Sequence, residues 1–151
     1  MELKKVGRLG TLEKIREWVI QSRSPGARVM MEGRYFLLAE NDEHVAAVGL
    51  RRFAWHSTEL RHLIVPPEKR GHGYGREIVR LALERVKTPL TIATVHTTNV
   101  TSLLLLFTSG FRLVRTMETS SGEIAFLMRE NPAQVAESPK SESDKPTTDA
   151  A

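Results

Sequence analysis

The sequence predicts an α/β (α+β) domain built on a central mixed, mostly antiparallel sheet flanked by helices. Three observations carry this. Strand-like runs at residues 35–40, 44–52 and 57–65 follow one another with short connections, as an antiparallel meander requires. The third run leads through Pro66-Pro67 and a loop holding Gly71, Gly73 and Gly75 into a helical pattern, which is a strand-loop-helix unit. Short β-like runs then return, the last two separated by Thr119-Ser120-Ser121-Gly122 as a hairpin loop.

Residues 3–6 suit a short first strand. Thr11, with Glu13 in the first turn, suits the N-cap of a helix on which Leu12, Ile15, Trp18 and Val19 recur at spacings of three and four. Trp18 is therefore most simply core, and Ser24-Pro25-Gly26 ends the helix near Arg23. Residues 28–31 read as either a short second helix or a pocket-lining loop. Asn41-Asp42-Glu43 tolerates a hairpin turn between the first two meander strands. Phe53 and Trp55, with Tyr35, read first as sheet packing and second as the wall of an apolar pocket.

The helix after the glycine loop is predicted over residues 75–87, with Ile78, Val79, Leu81, Ala82, Leu83 and Val86 as a broad apolar face, and Thr88-Pro89 stops it. Residues 90–95 suit a buried strand. Asn99, or Thr98 beside it, can cap a helix reading VTSLLLLFTS, which is apolar almost all round and should be buried on most sides; Gly110 closes it. Strands at 111–118 and 123–129 end a domain of residues 1–130. From Asn131 onward Val135 is the sole large apolar residue, so residues 131–151 read as a disordered polar tail.

Composition excludes several function classes. With no cysteine among 151 residues, disulfide frameworks, thiolate metal sites and cysteine nucleophiles are ruled out. The start MELKKVGR lacks an apolar signal core, and no run approaches the roughly 20 apolar residues of a membrane span, so a cytoplasmic protein without membrane contact is expected. His44, His56 and His96 show no metal-ligand spacing, and no metal is expected. Residues 131–151 hold four acids and two lysines against a whole-chain charge of +4, so residues 1–130 carry +6. Lys and Arg are spread without interleaved aromatics, which favours a polyanionic small molecule over nucleic acid.

The glycine loop offers a place for such an anion. Proline donates no backbone hydrogen bond, so a strand ladder must end near Pro66, and glycines free the backbone to point successive N–H groups inward at a helix N-terminus. A plain glycine-rich turn is the alternative. No Gly-Lys-Ser/Thr follows, which excludes a Walker loop, and Arg76 stands where a dinucleotide fingerprint needs its third glycine.

Val65, Pro67, Arg70, Gly71, Gly73 and Gly75 spell V-x-P-x-x-R-G-x-G-x-G. Val95 and Asn99 follow in a second segment, and a helix ends in Gly110-Phe111. In this element order the segments resemble the GNAT superfamily of acetyl-CoA-dependent N-acetyltransferases over about residues 3–130. The resemblance implies a V-shaped opening between the strands that precede the two central helices. It also implies acetyl-CoA, or another acyl-CoA, as co-substrate. The backbones of Leu63 and Val65 would pair with its pantetheine arm, and Arg70, Gly71, His72, Gly73, Tyr74 and Gly75 would hold its pyrophosphate. Asn99 would touch the cofactor near the diverging strands, where capping its helix is an equal alternative. The implied activity is acetyl transfer to a primary amine of a small molecule or peptide, by a monomer or homodimer.

An attacking amine must lose a proton, and the thioester oxygen needs hydrogen-bond donors. Glu59, at the start of the strand before the loop, matches the position of the family's usual base. His62 is the second catalytic candidate. Strict alternation sets Glu59, Arg61, Leu63 and Val65 on one face and Leu60, His62 and Ile64 on the other, unless a bulge reverses the register partway. One departure stands out: Leu106 occupies the cofactor-side position where the family pattern has a tyrosine acid, and Phe107 has no hydroxyl either. Ser102, Thr108, Ser109 or water are the substitutes at hand. The departure motivates a second reading, an acyl-CoA-binding regulatory or interaction module with slow or no chemistry.

Overall fold

Alternating apolar side chains on the meander strands feed two separate cores, one on each face of a single sheet. The computed structural model describes residues 1–7, 9–22 and 31–132. Its elements are β1 (Glu2–Lys5), α1 (Leu9–Gln21), β2 (Arg34–Glu40), β3 (Glu43–Ala54), β4 (Ser57–Ile64), a 3-10 turn (Pro67–Lys69), α2 (Tyr74–Glu84), β5 (Leu90–His96), α3 (Val100–Thr108), β6 (Arg112–Thr119) and β7 (Gly122–Glu130). The seven strands run in the order β1-β2-β3-β4-β5-β7-β6. Every neighbouring pair is antiparallel except β4–β5, which is parallel.

On β2, Tyr35 and Leu37 point to α1, where they meet Ile15, Val19, Ala47 and Ile64. Phe36 and Leu38 point the other way, to Ile78, Val79 and Ala82 of α2 and Leu106 of α3. A strand buried on both faces reads as a continuous apolar run, which is why residues 35–39 show little polar alternation. The β2–β3 connection is a two-residue turn in which Asn41 and Asp42 both have positive φ (52° and 62°), the conformation that matches hairpin twist.

Several expectations need correction. Thr11 lies inside the first turn of α1 instead of capping it, and Ser24-Pro25-Gly26 and residues 28–30 lie outside the described residues. Met31 packs at the rim of the α1 core. Phe53 and Trp55 are exposed, because they sit at the far end of the β3–β4 hairpin beyond the reach of the helices, whereas Tyr35 is core. On α3 only Leu106 is buried, and Val100, Leu104 and Phe107 are exposed: the helix meets the rest of the protein along one face whatever its composition. Asn131, read as the head of the tail, is buried. Its backbone N–H donates to Pro89 O (2.8 Å) and its side-chain amide donates to Thr88 O (2.9 Å) and Thr91 Oγ1 (3.0 Å). Residues 133–151 lie outside the described residues. No described helix is long and apolar enough to cross a membrane.

Candidate functional site

β4 and β5 stay together for only three residue pairs, Ser57–Leu90, Thr58–Thr91 and Glu59–Ile92. Beyond Glu59 the strands part, so the sheet opens into a fork with Glu59 at its base. Opposite β3, Gly49 pairs with Arg61 while Ala47 pairs with Ile64, so two β4 residues, His62 and Leu63, face the single residue Val48. This is a β-bulge. His62 has φ = 49°, a left-handed conformation that is uncommon for a residue bearing a Cβ and that marks functional sites often enough to direct attention there.

The bulge decides which side chains share a face. Leu60 packs in the α2 core, and Leu63 and Val65 join it, whereas Ile64 packs under α1. His62 stands on the α1 side against Tyr35, whose hydroxyl lies 2.7 Å from His62 Nδ1. Arg61 is paired across to Gly49, and a Cβ on Gly49 would fall 2.7 Å from the Tyr35 ring. Gly49 is thus the residue that lets the ring lie against the strand. Burial pushes the Tyr35 hydroxyl above its ordinary pKa, with the Arg61 charge opposing. Arg51 reaches Glu32 (3.3 Å) and Glu59 (4.0 Å), so the base candidate has a cationic neighbour.

The cofactor-side candidates fall further along the same arm of the fork, where β4 runs into the glycine loop. Leu63 and Val65 follow the last β5 pair, which leaves this edge of the strand outside the β4–β5 ladder. The carbonyl of Val65 accepts from Arg70 Nε (2.9 Å), tying the strand end to the loop. Gly71 and Gly73 have φ of 86° and 79°, with open space where a Cβ would be, so conformation and not crowding selects glycine there. Gly75 lies in the first turn of α2, as the helix predicted from residue 75 requires, and a Cβ on it would touch Leu105 (3.5 Å) and Val65 (3.8 Å). Gly73 is the N-cap of α2 and has no side chain to satisfy the first amides. Glu77 N–H donates to Gly73 O (3.1 Å), and the amides of the helix start before it make a site suited to pyrophosphate.

The loop is tied to the β2–β3 hairpin. Tyr74 Oη donates to Glu40 Oε2, and this hydrogen bond raises the Tyr74 pKa. Lys69 Nζ lies 2.5 Å from Glu43 and holds that carboxyl below its usual range. His72 stacks on Tyr74 (centroids 5.5 Å apart) with its Nδ1 3.1 Å from Lys69 O. On the far side of the fork Asn99 caps α3, its Oδ1 accepting from Ser102 N (3.2 Å). Leu106 is 2% exposed within the α2 core, and the Thr108 and Ser109 hydroxyls both donate to Leu105 O (2.9 and 2.8 Å).

Glu59 and His62 are thus brought to the fork, and Arg70, Gly71, His72, Gly73, Tyr74 and Gly75 form one continuous loop and helix start. Sequence reasoning gave Tyr35 only a packing or pocket-wall role, and missed Glu32, Arg51 and the tether Glu40. An isolated Gly49 inside a strand pattern is a signal that could have marked a close approach on this face.

The family model described as acetyltransferase (GNAT) family matches residues 11–111. No curated protein matches. Among solved structures, a variant of the spermidine N-acetyltransferase SpeG from Vibrio cholerae is similar at 16% identity and TM-score 0.75, with 92% of this chain and 100% of that one covered. A GNAT family acetyltransferase from Elizabethkingia anophelis with acetyl-CoA bound is similar at 11% identity and TM-score 0.63 (86% and 97% covered). A third, described as an IAA acetyltransferase from Bacillus cereus, is similar at 14% identity and TM-score 0.64 (86% and 99% covered). At such identities the structural likeness shows a shared fold.

Proposed function

Because the chain belongs to the acetyltransferase (GNAT) family, we propose that it transfers an acetyl group from acetyl-CoA to a primary amine by direct attack, with Glu59 as the base. The observation that carries this reading is the position of Glu59 on the last shared β4–β5 pair, at the base of a fork whose β4 arm ends in the amide-rich loop. The residues present suit the co-substrate. The backbones of Leu63 and Val65 would pair with the pantetheine arm, and Arg70 with the amides of Gly71, His72, Gly73, Tyr74 and Gly75 would hold the pyrophosphate.

Acetyl-CoA supplies the activated carbonyl when bound. The chain's own task is positioning and proton handling. Glu59 takes the proton of the attacking amine, directly or through a water, and Arg51 Nη1 stands 4.0 Å from its carboxylate. Asn99 holds the start of α3 by its cap and so keeps the β5 side of the fork in place. The acceptor is an amine of a small molecule or peptide.

A second reading, an acyl-CoA-binding module with slow chemistry, is favoured by the alkyl side chain of Leu106 and by the Thr108 and Ser109 hydroxyls already engaged with a helix carbonyl. Titration with acetyl-CoA, followed by a thiol-release assay over polyamines, amino-acid amides and peptides, separates the two. Thiol release with an amine, lowered about 100-fold in Glu59→Gln, supports the transferase. Binding without thiol release selects the module, and failure to bind any CoA species overturns both.

A further inference from the structure

The sheet ends in two edges that differ in kind. At one end β1 is four residues long and carries Lys4 and Lys5, with Lys4 paired to Glu2 (3.7 Å), so this edge is short and charged, as edges that resist pairing are. At the other end β6 runs for eight residues without lysine or proline, and among the described residues it pairs with β7 alone. The backbone groups that alternate residues of β6 turn away from β7 therefore have no described strand to bond.

The side chains leave this edge open. Arg112 leans back to Glu130 of β7 (3.9 Å), and the Arg115 guanidinium lies over the Phe126 ring of β7 (5.4 Å), so both cations are drawn inward over the neighbouring strand. Leu113, Val114 and Met117 are 50, 50 and 41% exposed. Opposite residues of an antiparallel pair share a face. Leu113, opposite the buried Leu127, stands on the α2 side, and Met117, opposite Ile124, stands on the other. A β-bulge between Leu113 and Arg115 bends the start of the strand and splits these two side chains across the faces, while Arg115 to Thr119 keeps a regular register. A strand laid along the outer side of β6 thus finds apolar contact above and below it.

We propose that β6 is a self-association edge, on which a second copy of this chain lays its own β6 antiparallel across a twofold axis and continues the sheet. Charge selects both the copy and the direction. The strand is cationic at its start, with Arg112 and Arg115, and anionic toward its end, with Glu118. An antiparallel copy sets each Glu118 end against the other strand's arginine end, whereas a parallel copy would set like against like. A twofold axis uses the same surface on both partners, so one edge that complements itself is sufficient. Two strands, β5 and β7, stand between β6 and β4. The association is therefore separate from acyl transfer and does not depend on it.

Light scattering after size exclusion should give about twice the 17.0 kDa of one chain, with or without acetyl-CoA. Leu113→Lys combined with Met117→Lys adds charge to both faces of the edge and should raise the concentration at which the dimer dissociates at least about tenfold. Trp55→Lys, at the exposed tip of the β3–β4 hairpin, should leave the dimer in place. A chain ending at Pro132 should dimerise like the full chain. A monomeric full chain overturns the proposal, and dimerisation of the shortened chain alone makes residues 133–151 the occupant of the edge. A dimer that acetyl-CoA disperses, or that Trp55→Lys dissociates and the β6 pair of substitutions does not, overturns it as well.

The chain has no cysteine, which permits a second test that does not rely on the lysine variants folding. Leu113→Cys, Val114→Cys, Arg115→Cys, Thr116→Cys, Met117→Cys and Glu118→Cys, each made alone, are exposed to mild oxidation. The one nearest the twofold axis should give a disulfide-linked dimer, because only there do two copies of one residue come within the roughly 4.4–6.8 Å between Cα atoms that a disulfide spans. Trp55→Cys should stay unlinked. A link through Trp55→Cys, or through none of the β6 positions, overturns the proposal.

Discussion

The Tyr74 hydroxyl donates to the Glu40 carboxylate, joining the first turn of α2 to the last residue of β2 across 34 positions of sequence. The N-terminal amides of α2 are thereby held at a fixed height above the sheet edge. Tyr74→Phe removes the link without changing the ring, and acetyl-CoA affinity should fall by up to about tenfold in calorimetric titration. The hydrogen bond raises the Tyr74 pKa above its ordinary value of 10.0, so the tether is intact below pH 10 and is lost as pH rises through the folded-state value. Part of the alkaline loss of stability should therefore vanish in Tyr74→Phe, as read by melting temperature against pH.

The three loop glycines should separate into two groups. Gly71→Ala and Gly73→Ala force a Cβ into left-handed backbone and should each cost about 1–2 kcal/mol of unfolding free energy, although neither side chain would meet another atom. Gly75→Ala places a better helix former in α2 at ordinary contact distance and should raise the stability of the ligand-free protein by about 0.5 kcal/mol. All three should weaken acetyl-CoA binding. A destabilising Gly75→Ala would contradict the helical assignment of that residue.

His44 should make the protein acid-sensitive. Burial lowers its pKa below the ordinary 6.5, and the charges of Lys14 and Lys4 lower it further. The unfolded chain then binds the proton more readily, so this contribution is complete above pH 6.5 and is lost as pH falls through the folded-state value. The drop in melting temperature between pH 7.5 and pH 5 should be smaller in His44→Gln than in the parent protein.

Asn131 should mark the end of the stabilising sequence. A chain ending at Glu130 loses the hydrogen bonds to Pro89, Thr88 and Thr91 and leaves buried partners unsatisfied, which should cost about 2–4 kcal/mol in chemical denaturation. A chain ending at Pro132 should denature like the full chain. Equal stability of the two truncations would show the Asn131 contacts to be energetically idle.

The order of elements was legible because the meander strands read as short, nearly continuous apolar runs bounded by turn residues, and α1 and α2 carry a period of three to four. The glycine loop was legible because proline and glycine act on local backbone alone. Pairwise properties were hidden. Nothing in the residues of β4 announces the bulge, since a bulge is a mismatch between two strands, and it moves Ile64 to the face opposite Leu60 despite their even spacing. Tyr35 lies 27 positions from His62, so their contact existed only once β2, β3 and β4 were in register. Burial of α3 was overestimated for the same reason: composition states what a helix could bury, and only its neighbours decide what it does.

The fork also has a consequence for handling the protein. Where β4 leaves β5, a strand edge lies inside the sheet, and an exposed edge is a template for pairing with another chain. A ligand lying along Leu63 and Val65 would blunt that edge as well as react there. Co-substrate concentration would then govern colloidal behaviour: the ligand-free protein would associate through β4 on concentration or storage, and the saturated protein would stay dispersed.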